Sequence, residues 1–253
     1  MKDLSHVLLC SDVDGTLTSA NGLCPRNVEA IDRFIAAGGR FSLCSGRDVE
    51  YLRSLPGVRV SAPFVCLNGT QIYDAEAEQT LYLKTLDNVY RQAVLQAMKR
   101  YPQTLHSTTV YQRGEHKSVQ TTYRNGEDLT GIPEAGVQKA VMGFTVAEDT
   151  LACKESLEQT FPSLHLCRSW HVGLEILPKD GHKGLAVQRL KELTDAKLLV
   201  AIGDFENDLD MLKAADLAYA PAGAHPSVLA VATAVCSAEE GAVADVIDRI
   251  FAL

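Results

Sequence analysis

Residues 7–17 read VLLCSDVDGTL. An apolar run of strand character ends in two aspartates one residue apart, followed by glycine and threonine. Side chains along a strand repeat every two residues, so Asp12 and Asp14 project to the same side at its end. Two carboxylates in one place repel each other unless a proton or a cation stands between them. The pair therefore reads either as acid/base partners or as a metal seat. An isolated Asp-Gly is more often a plain turn closing a strand. A calcium loop is excluded, because it needs a third ligand before its glycine and a Glu six residues after it. Here Gly15 follows Asp14 directly and position 21 is Asn.

Working outward, PRNVEAIDRFIAAGG (25–39) has helical spacing, with Pro25 suited to the first turn and Gly38-Gly39 to the end. RFSLCSG (40–46) reads as a strand, DVEYLRSL (48–55) as a helix and FVCLNG (64–69) as a strand. This βαβαβ rhythm predicts a parallel sheet. It returns near the C-terminus, with GHKGLAVQRLKEL (181–193) as a helix, LLVAIGD (198–204) as a strand, and ENDLDMLKAA (206–215) and AVADVIDRIF (242–251) as helices. Between the two ends lie a helix over 87–101, polar strands rich in Thr, Tyr and Arg, and a further strand and helix. The expected class is α/β: a Rossmann-like doubly wound parallel sheet from residues 1–80 and 178–253, interrupted by an α/β insert over 81–177.

Composition narrows the function. The formal charge of −8 and the lack of clustered Lys and Arg argue against nucleic-acid binding. The apolar run at the start is too short for a secretory signal and nothing later approaches a membrane span, so a cytoplasmic protein without a membrane partner is expected. Seven cysteines, at 10, 24, 44, 66, 153, 167 and 236, form no CxxC pair and read as reduced thiols of the core.

A second acidic group occurs in AIGDFENDLDM (201–211). Helix capping accounts for Asp208 better than for Asp204, which ends a buried strand and can complete an oxygen-ligand magnesium site with Asp12 and Asp14. Ser45-Gly46 ends a strand and offers a hydroxyl and backbone N–H groups to an anion, and Lys183 opens a helix. Each is weak alone, since Ser-Gly is a common turn and lysines are usually solvated. Together they fall where a doubly wound sheet binds ligands, beyond the carboxyl ends of its strands, and predict a phosphate site. No GxxxxGK[ST] run is present, which excludes a P-loop nucleotide enzyme.

In that order, DVDGT, Ser45, Lys183 and GDFEND resemble the four motifs of the haloacid dehalogenase superfamily. CSGR (44–47), LNG (67–69), EILPKDGHKG (175–184) and GDFENDLDM (203–211) are similar to its Cof-type branch. The resemblance implies a phosphatase whose insert is a specificity cap. Asp12 would attack phosphorus, Asp14 would protonate the leaving oxygen and later activate water, and Ser45 and Lys183 would hold the phosphoryl group. Magnesium would bind Asp12, Asp204 and the main-chain carbonyl of Asp14. Asp208 is counted with this metal set, and it and Asn207 match supporting positions near it. Gly46, Arg47, Asn68 and Asn207 are expected on the substrate side. The insert carries Arg113, His116, Lys117, Tyr123, Arg124 and Trp170, most of them read as a solvated sheet face. Arg168 and His171, shortly before the return to the core, are taken to contact the leaving group.

The expected reaction is magnesium-dependent hydrolysis of a small phosphorylated metabolite, a sugar phosphate first. Phosphorylated cofactors such as pyridoxal or flavin phosphates come second. A phosphomutase using the same aspartates and a non-enzymatic phosphometabolite-binding regulator are the alternatives. Two departures from the branch are visible: Ser45 stands where Thr is frequent, and YAPAGAHPSV (219–228) replaces an MGNA-like run.

Overall fold

The computed structural model describes residues 2–114, 118–124, 126–127, 131–237 and 241–253, so His116 and Lys117 lie outside the described residues. Two compact units appear, one from Met1–Leu81 with Lys183–Leu253, the other Tyr82–His182.

The first unit is built on a parallel sheet in the order Ala234–Cys236, Leu217–Pro221, Leu198–Ile202, Val7–Ser11, Arg40–Leu43. Val7–Ser11 is buried along its whole length, as expected of a strand covered on both faces. Helices flank the sheet in two packed pairs, Pro25–Ala36 with Ala242–Ala252 and Lys183–Leu193 with Leu209–Ala214. Pro25 opens the first of these helices, and Asn27, Ala30, Ile31 and Phe34 are its buried face. The chain leaves the central strand Val7–Ser11 toward Arg40–Leu43 and comes back on the other side at Leu198–Ile202. That reversal opens a crevice at the carboxyl ends of the two central strands, directly after Ser11 and Ile202.

The strand predicted at 64–69 departs from expectation. Phe64–Cys66 pairs antiparallel with Gln71–Asp74 in a separate three-stranded sheet, and one isolated bridge, Cys44 to Val65, joins it to the parallel sheet. The six cysteines other than half-buried Cys24 are buried, and all seven are free thiols.

The second unit is an antiparallel sheet in the order Leu164–Trp170, Gly173–Pro178, Val137–Phe144, Leu105–Arg113, Ser118–Arg124. Helices Val89–Arg100 and Ala147–Thr160 bring Tyr90, Val94, Met98, Cys153 and Leu157 into one core with Val110, Ala140, Met142, Leu174 and Ile176 of the strands. Strand alternation sends Lys139 and Glu175 to the opposite face. There they form a buried ion pair at 2.9 Å, with Ser169 donating to Glu175 at 2.5 Å and the ammonium 4.7 Å from the ring of Tyr111. Gly173–Pro178 belongs to this sheet, and the unit runs to His182.

Among the described residues the Thr108 hydroxyl is buried without a hydrogen-bond partner. Thr108→Val keeps the β-branched shape and removes the orphan group. It is expected to raise stability by about 1 kcal/mol, read as a higher urea midpoint at unchanged m value.

Candidate active site

The crevice is lined by the residues that follow its two central strands. The Asp12 N–H donates to the carbonyl of Ile202 at 2.9 Å, which extends the strand pairing by one residue and leaves Asp12 buried at the sheet's end. The chain then turns through Gly15, at φ +92, where a Cβ would stand 2.5 Å from Oδ2 of Asp204. Only glycine lets this turn lie so close to the second acidic loop. Thr16 closes the contact by donating to Oδ1 of Asp204 at 2.7 Å. Thr16, part of the DGT run, has no role legible in the sequence alone.

Asp204 follows Leu198–Ile202 through Gly203, where a Cβ would lie 2.4 Å from the carboxyl carbon of Asp208. Oδ2 of Asp208 accepts from the N–H groups of Asp204 at 2.9 Å and Phe205 at 3.2 Å, fixing the loop. Its Oδ1 accepts from Lys183, whose buried ammonium donates to Oδ1 of Asp12 as well, both at 2.6 Å. Both oxygens of Asp208 are thus engaged by the protein. It holds Lys183 and the loop, which agrees with the supporting position its motif implies.

Ligand atoms of Asp12, Asp204 and Asp208 lie within 4.8 Å of one another. Burial, followed by the charge of Asp208, pushes the Asp12 carboxyl well above the usual carboxylate range, against the pull of Lys183. Burial and Asp208 raise Asp204 to about 6. Burial would lower the ammonium of Lys183, but Asp12 and Asp208 outweigh it and hold it well above its ordinary value. Three acids face one buried cation, leaving two negative charges uncompensated when all are ionised. Among the described residues, Oδ2 of Asp12 and Oδ2 of Asp204 accept no hydrogen bond. Two crowded hard-oxygen donors with a charge deficit of two fit a divalent cation such as magnesium.

This charge balance predicts a pH dependence. Folded Asp204 keeps its proton up to about 6, whereas an unfolded Asp loses it near 3.8. The folded state therefore holds the extra proton across that window, and its stability from this group falls as pH rises from below 3.8 through about 6. Magnesium needs the ionised form, so it is expected to raise the melting temperature by several degrees at about pH 7.5 and by little at about pH 5. Asp204→Asn is expected to flatten this dependence in thermal scans with magnesium and with chelator.

Asp14 does not join the acid cluster. Its half-exposed carboxylate accepts from Nε and Nη2 of Arg47 at 2.9 and 3.0 Å. Only its main-chain carbonyl is left for the metal role. Ser45 is buried, and its hydroxyl accepts from the Arg47 N–H at 3.2 Å. Asn68 adopts a left-handed conformation, as does Leu67, and packs against Gly46, where a Cβ would lie 3.2 Å from its amide nitrogen. The side chain of Asn207 donates to Asn68 Oδ1 at 3.2 Å. Ser45, Gly46, Asn68 and Asn207 are thus brought together by the structure. Arg168 and His171 lie in the other unit, where buried Arg168 donates to the carbonyl of exposed His171 and ties their own turn.

A profile of haloacid dehalogenase-like hydrolases matches residues 9–247. The chain belongs to that family. This haloacid dehalogenase-like hydrolase is 26% identical to a phosphoglycolate phosphatase of Metallosphaera sedula, covering 93% of this chain and 94% of that one. It is 23% identical to a pyridoxal phosphate phosphatase of Escherichia coli, covering 90% and 92%. Among solved structures it is similar in fold to a haloacid dehalogenase-like hydrolase from B. subtilis, at TM-score 0.82 and 19% identity over 96% of this chain and 99% of that one. A sugar phosphatase of the superfamily's subclass IIB superposes at TM-score 0.78 and 17% identity, over 97% and 99%. Family membership and the full-length relatives make the protein an enzyme of the phosphatase type.

Proposed function

We propose that the protein hydrolyses a small phosphorylated metabolite, a sugar phosphate first, through an aspartyl-phosphate on Asp12 with magnesium as cofactor. The observation that carries this reading is the buried Lys183 ammonium on Asp12 Oδ1 at 2.6 Å, with Asp204 beside it. A carboxylate attacking a phosphate dianion meets repulsion, and positive charge in a buried site is the effective remedy. Lys183 supplies one such charge and stays protonated between Asp12 and Asp208. Magnesium would be held by Asp12, Asp204 and the carbonyl of Asp14, where it supplies further charge neutralisation.

Asp12 forms a bond to phosphorus as the bond to the leaving oxygen breaks, and Asp14 gives that oxygen a proton. Water then attacks phosphorus, its proton passes to Asp14, and phosphate leaves with Asp12 regenerated. Splitting the reaction into two steps answers a very slow uncatalysed hydrolysis. The Ser45 hydroxyl is the donor assigned to the phosphoryl oxygens. The inserted unit serves as the cap that selects the leaving group, with Arg168 and His171 its assigned contacts. Pyridoxal phosphate and phosphoglycolate, which two relatives are named for, follow sugar phosphates as substrates to try.

The test is phosphate release from a panel of these compounds, with and without magnesium, for the native protein and Asp12→Asn. Magnesium-dependent release that the substitution abolishes supports the reading. Release by Asp12→Asn at the native rate, or no release from any compound, contradicts it.

A further inference from the structure

We propose that Arg47, seated on the ring of Tyr51, is a positioning residue that aims the Asp14 carboxylate at the water that hydrolyses the aspartyl-phosphate. This inference rests on the function proposed above. Sequence analysis placed Arg47 on the substrate. In the structure its guanidinium makes a two-point, parallel pair with Asp14, Nε to Oδ2 at 2.9 Å and Nη2 to Oδ1 at 3.0 Å. Two parallel bonds fix the plane of a carboxylate as well as its position, which a single contact does not.

The rest of Arg47 is anchored as though its guanidinium must not move. Its N–H donates to the Ser45 hydroxyl at 3.2 Å and its carbonyl accepts from Leu67 at 2.9 Å, so the main chain is tied on both sides. The guanidinium carbon lies 4.6 Å from the centre of the Tyr51 ring. Tyr51 stands four residues on, in the short helix Val49–Arg53, and its N–H donates to the Asp48 carboxylate that caps this helix. Asp14 itself is half-exposed and follows the strand on a loop with a left-handed Gly15. Without the clamp its side chain would rotate among staggered conformers.

Stability does not explain the arrangement. With both side chains about half-exposed, 50% for Arg47 and 47% for Asp14, such a pair contributes little to stability. Orientation has a far larger effect on rate, since a misplacement of about 1 Å at a reacting group costs about 100-fold. The step that uses this form of Asp14 is the second one. Water's oxygen bonds to phosphorus, the phosphorus–oxygen bond to Asp12 breaks with its electrons returning to the Asp12 carboxylate, and water's proton moves to Asp14. A carboxylate whose two oxygens accept from a guanidinium is held as the acceptor this transfer requires.

The test uses p-nitrophenyl phosphate, whose phenolate departs without a proton, followed by rapid quench in native protein, Arg47→Ala, Asp14→Asn and the double variant. Arg47→Ala is expected to retain a first burst of nitrophenolate and then turn over about 10- to 100-fold slower than native, with KM falling alongside kcat, kcat/KM nearly unchanged and the phosphoenzyme accumulating. Asp14→Asn should show the same pattern more strongly, and adding Arg47→Ala to it should cost nothing further. Tyr51→Phe should keep the rate, and Tyr51→Ala should lose part of it. A raised KM with an unchanged slow step, or losses at Arg47 and Asp14 that multiply in full, would assign Arg47 to substrate contact and overturn the inference. If native protein releases nitrophenolate with no phosphoenzyme and Asp12→Asn matches it, the proposed function itself falls and takes this inference with it.

Discussion

Lys183→Met is expected to reduce turnover by about 1,000-fold or more while also weakening the fold, the largest joint effect of any single change in this protein. The ammonium is buried and bonded to Asp12 and Asp208 at 2.6 Å each. Removing one such electrostatic donor from a desolvated site typically costs about 10²–10³ in kcat, and here the donor also counters the charge of the carboxylate proposed as nucleophile. Deleting the cation leaves two buried carboxylates facing each other, a loss of about 3–5 kcal/mol by analogy with broken buried pairs. Magnesium is expected to recover part of the stability, because it restores positive charge among the same acids, but not the rate. Lys183→Arg should fare little better, since a planar fork does not fit a site built for a compact ammonium between two single oxygens. Melting curves and kcat, each with and without magnesium, check these outcomes.

Asp12→Asn separates the two effects. Turnover is expected to fall by about 10⁴-fold or more, because the amide cannot form the covalent intermediate. Without a divalent cation, however, the variant should melt higher than the native protein near neutral pH. Burial and the charge of Asp208 already raise the Asp12 carboxyl well above its ordinary range, so its ionised form burdens the fold. The substitution removes that burden and leaves Lys183 paired with Asp208. An inactive protein that is more stable than its parent marks a group kept for chemistry rather than for structure. Scanning calorimetry in chelator, beside phosphate release in magnesium, reads both quantities.

Much of the fold could be read locally. The runs VLLCS and LLVAI are short, apolar and bounded by Gly or Asp, and each became a central parallel strand. Pro25 and Gly38 bracket a helix in the structure as in the sequence. What could not be read depended on distant partners. Gly173–Pro178 lies in the insert as expected, although its ladder partners Leu164–Trp170 and Val137–Phe144 left no local signal. The strand at Phe64–Cys66 was expected in the parallel sheet and instead turns into a hairpin, because Leu67 and Asn68 both take left-handed conformations. Asn tolerates that conformation, whereas Leu adopts it only where the surroundings enforce it.

The site divides in the same way. Asp204 could be picked out because an acid ending a buried strand has few structural uses, whereas Asp12, Ser45 and Lys183 gained weight only from their joint arrangement. The bond of Asp208 to Lys183 was implied by the family motif, whereas the two N–H groups on its other oxygen are presented only by the folded loop. The clasp of Arg47 on Asp14 spans 33 residues and left no local signal. Tyr51 left none either, since Arg47 precedes the cap of the helix Val49–Arg53 that carries it. Among the described residues no helix is long and apolar enough to cross a membrane.

The central claim is that Asp12 carries the phosphoryl group, and the most direct measurement is acid quench of the magnesium-loaded Asp14→Asn variant with a phosphorus-labelled sugar or aryl phosphate, followed by peptide mapping. The account predicts label on the peptide that holds Asp12, stable in acid and released by hydroxylamine, and none when Asp12→Asn is added. Label on another residue, or phosphate release by the native protein with no labelled peptide in either variant, would contradict it.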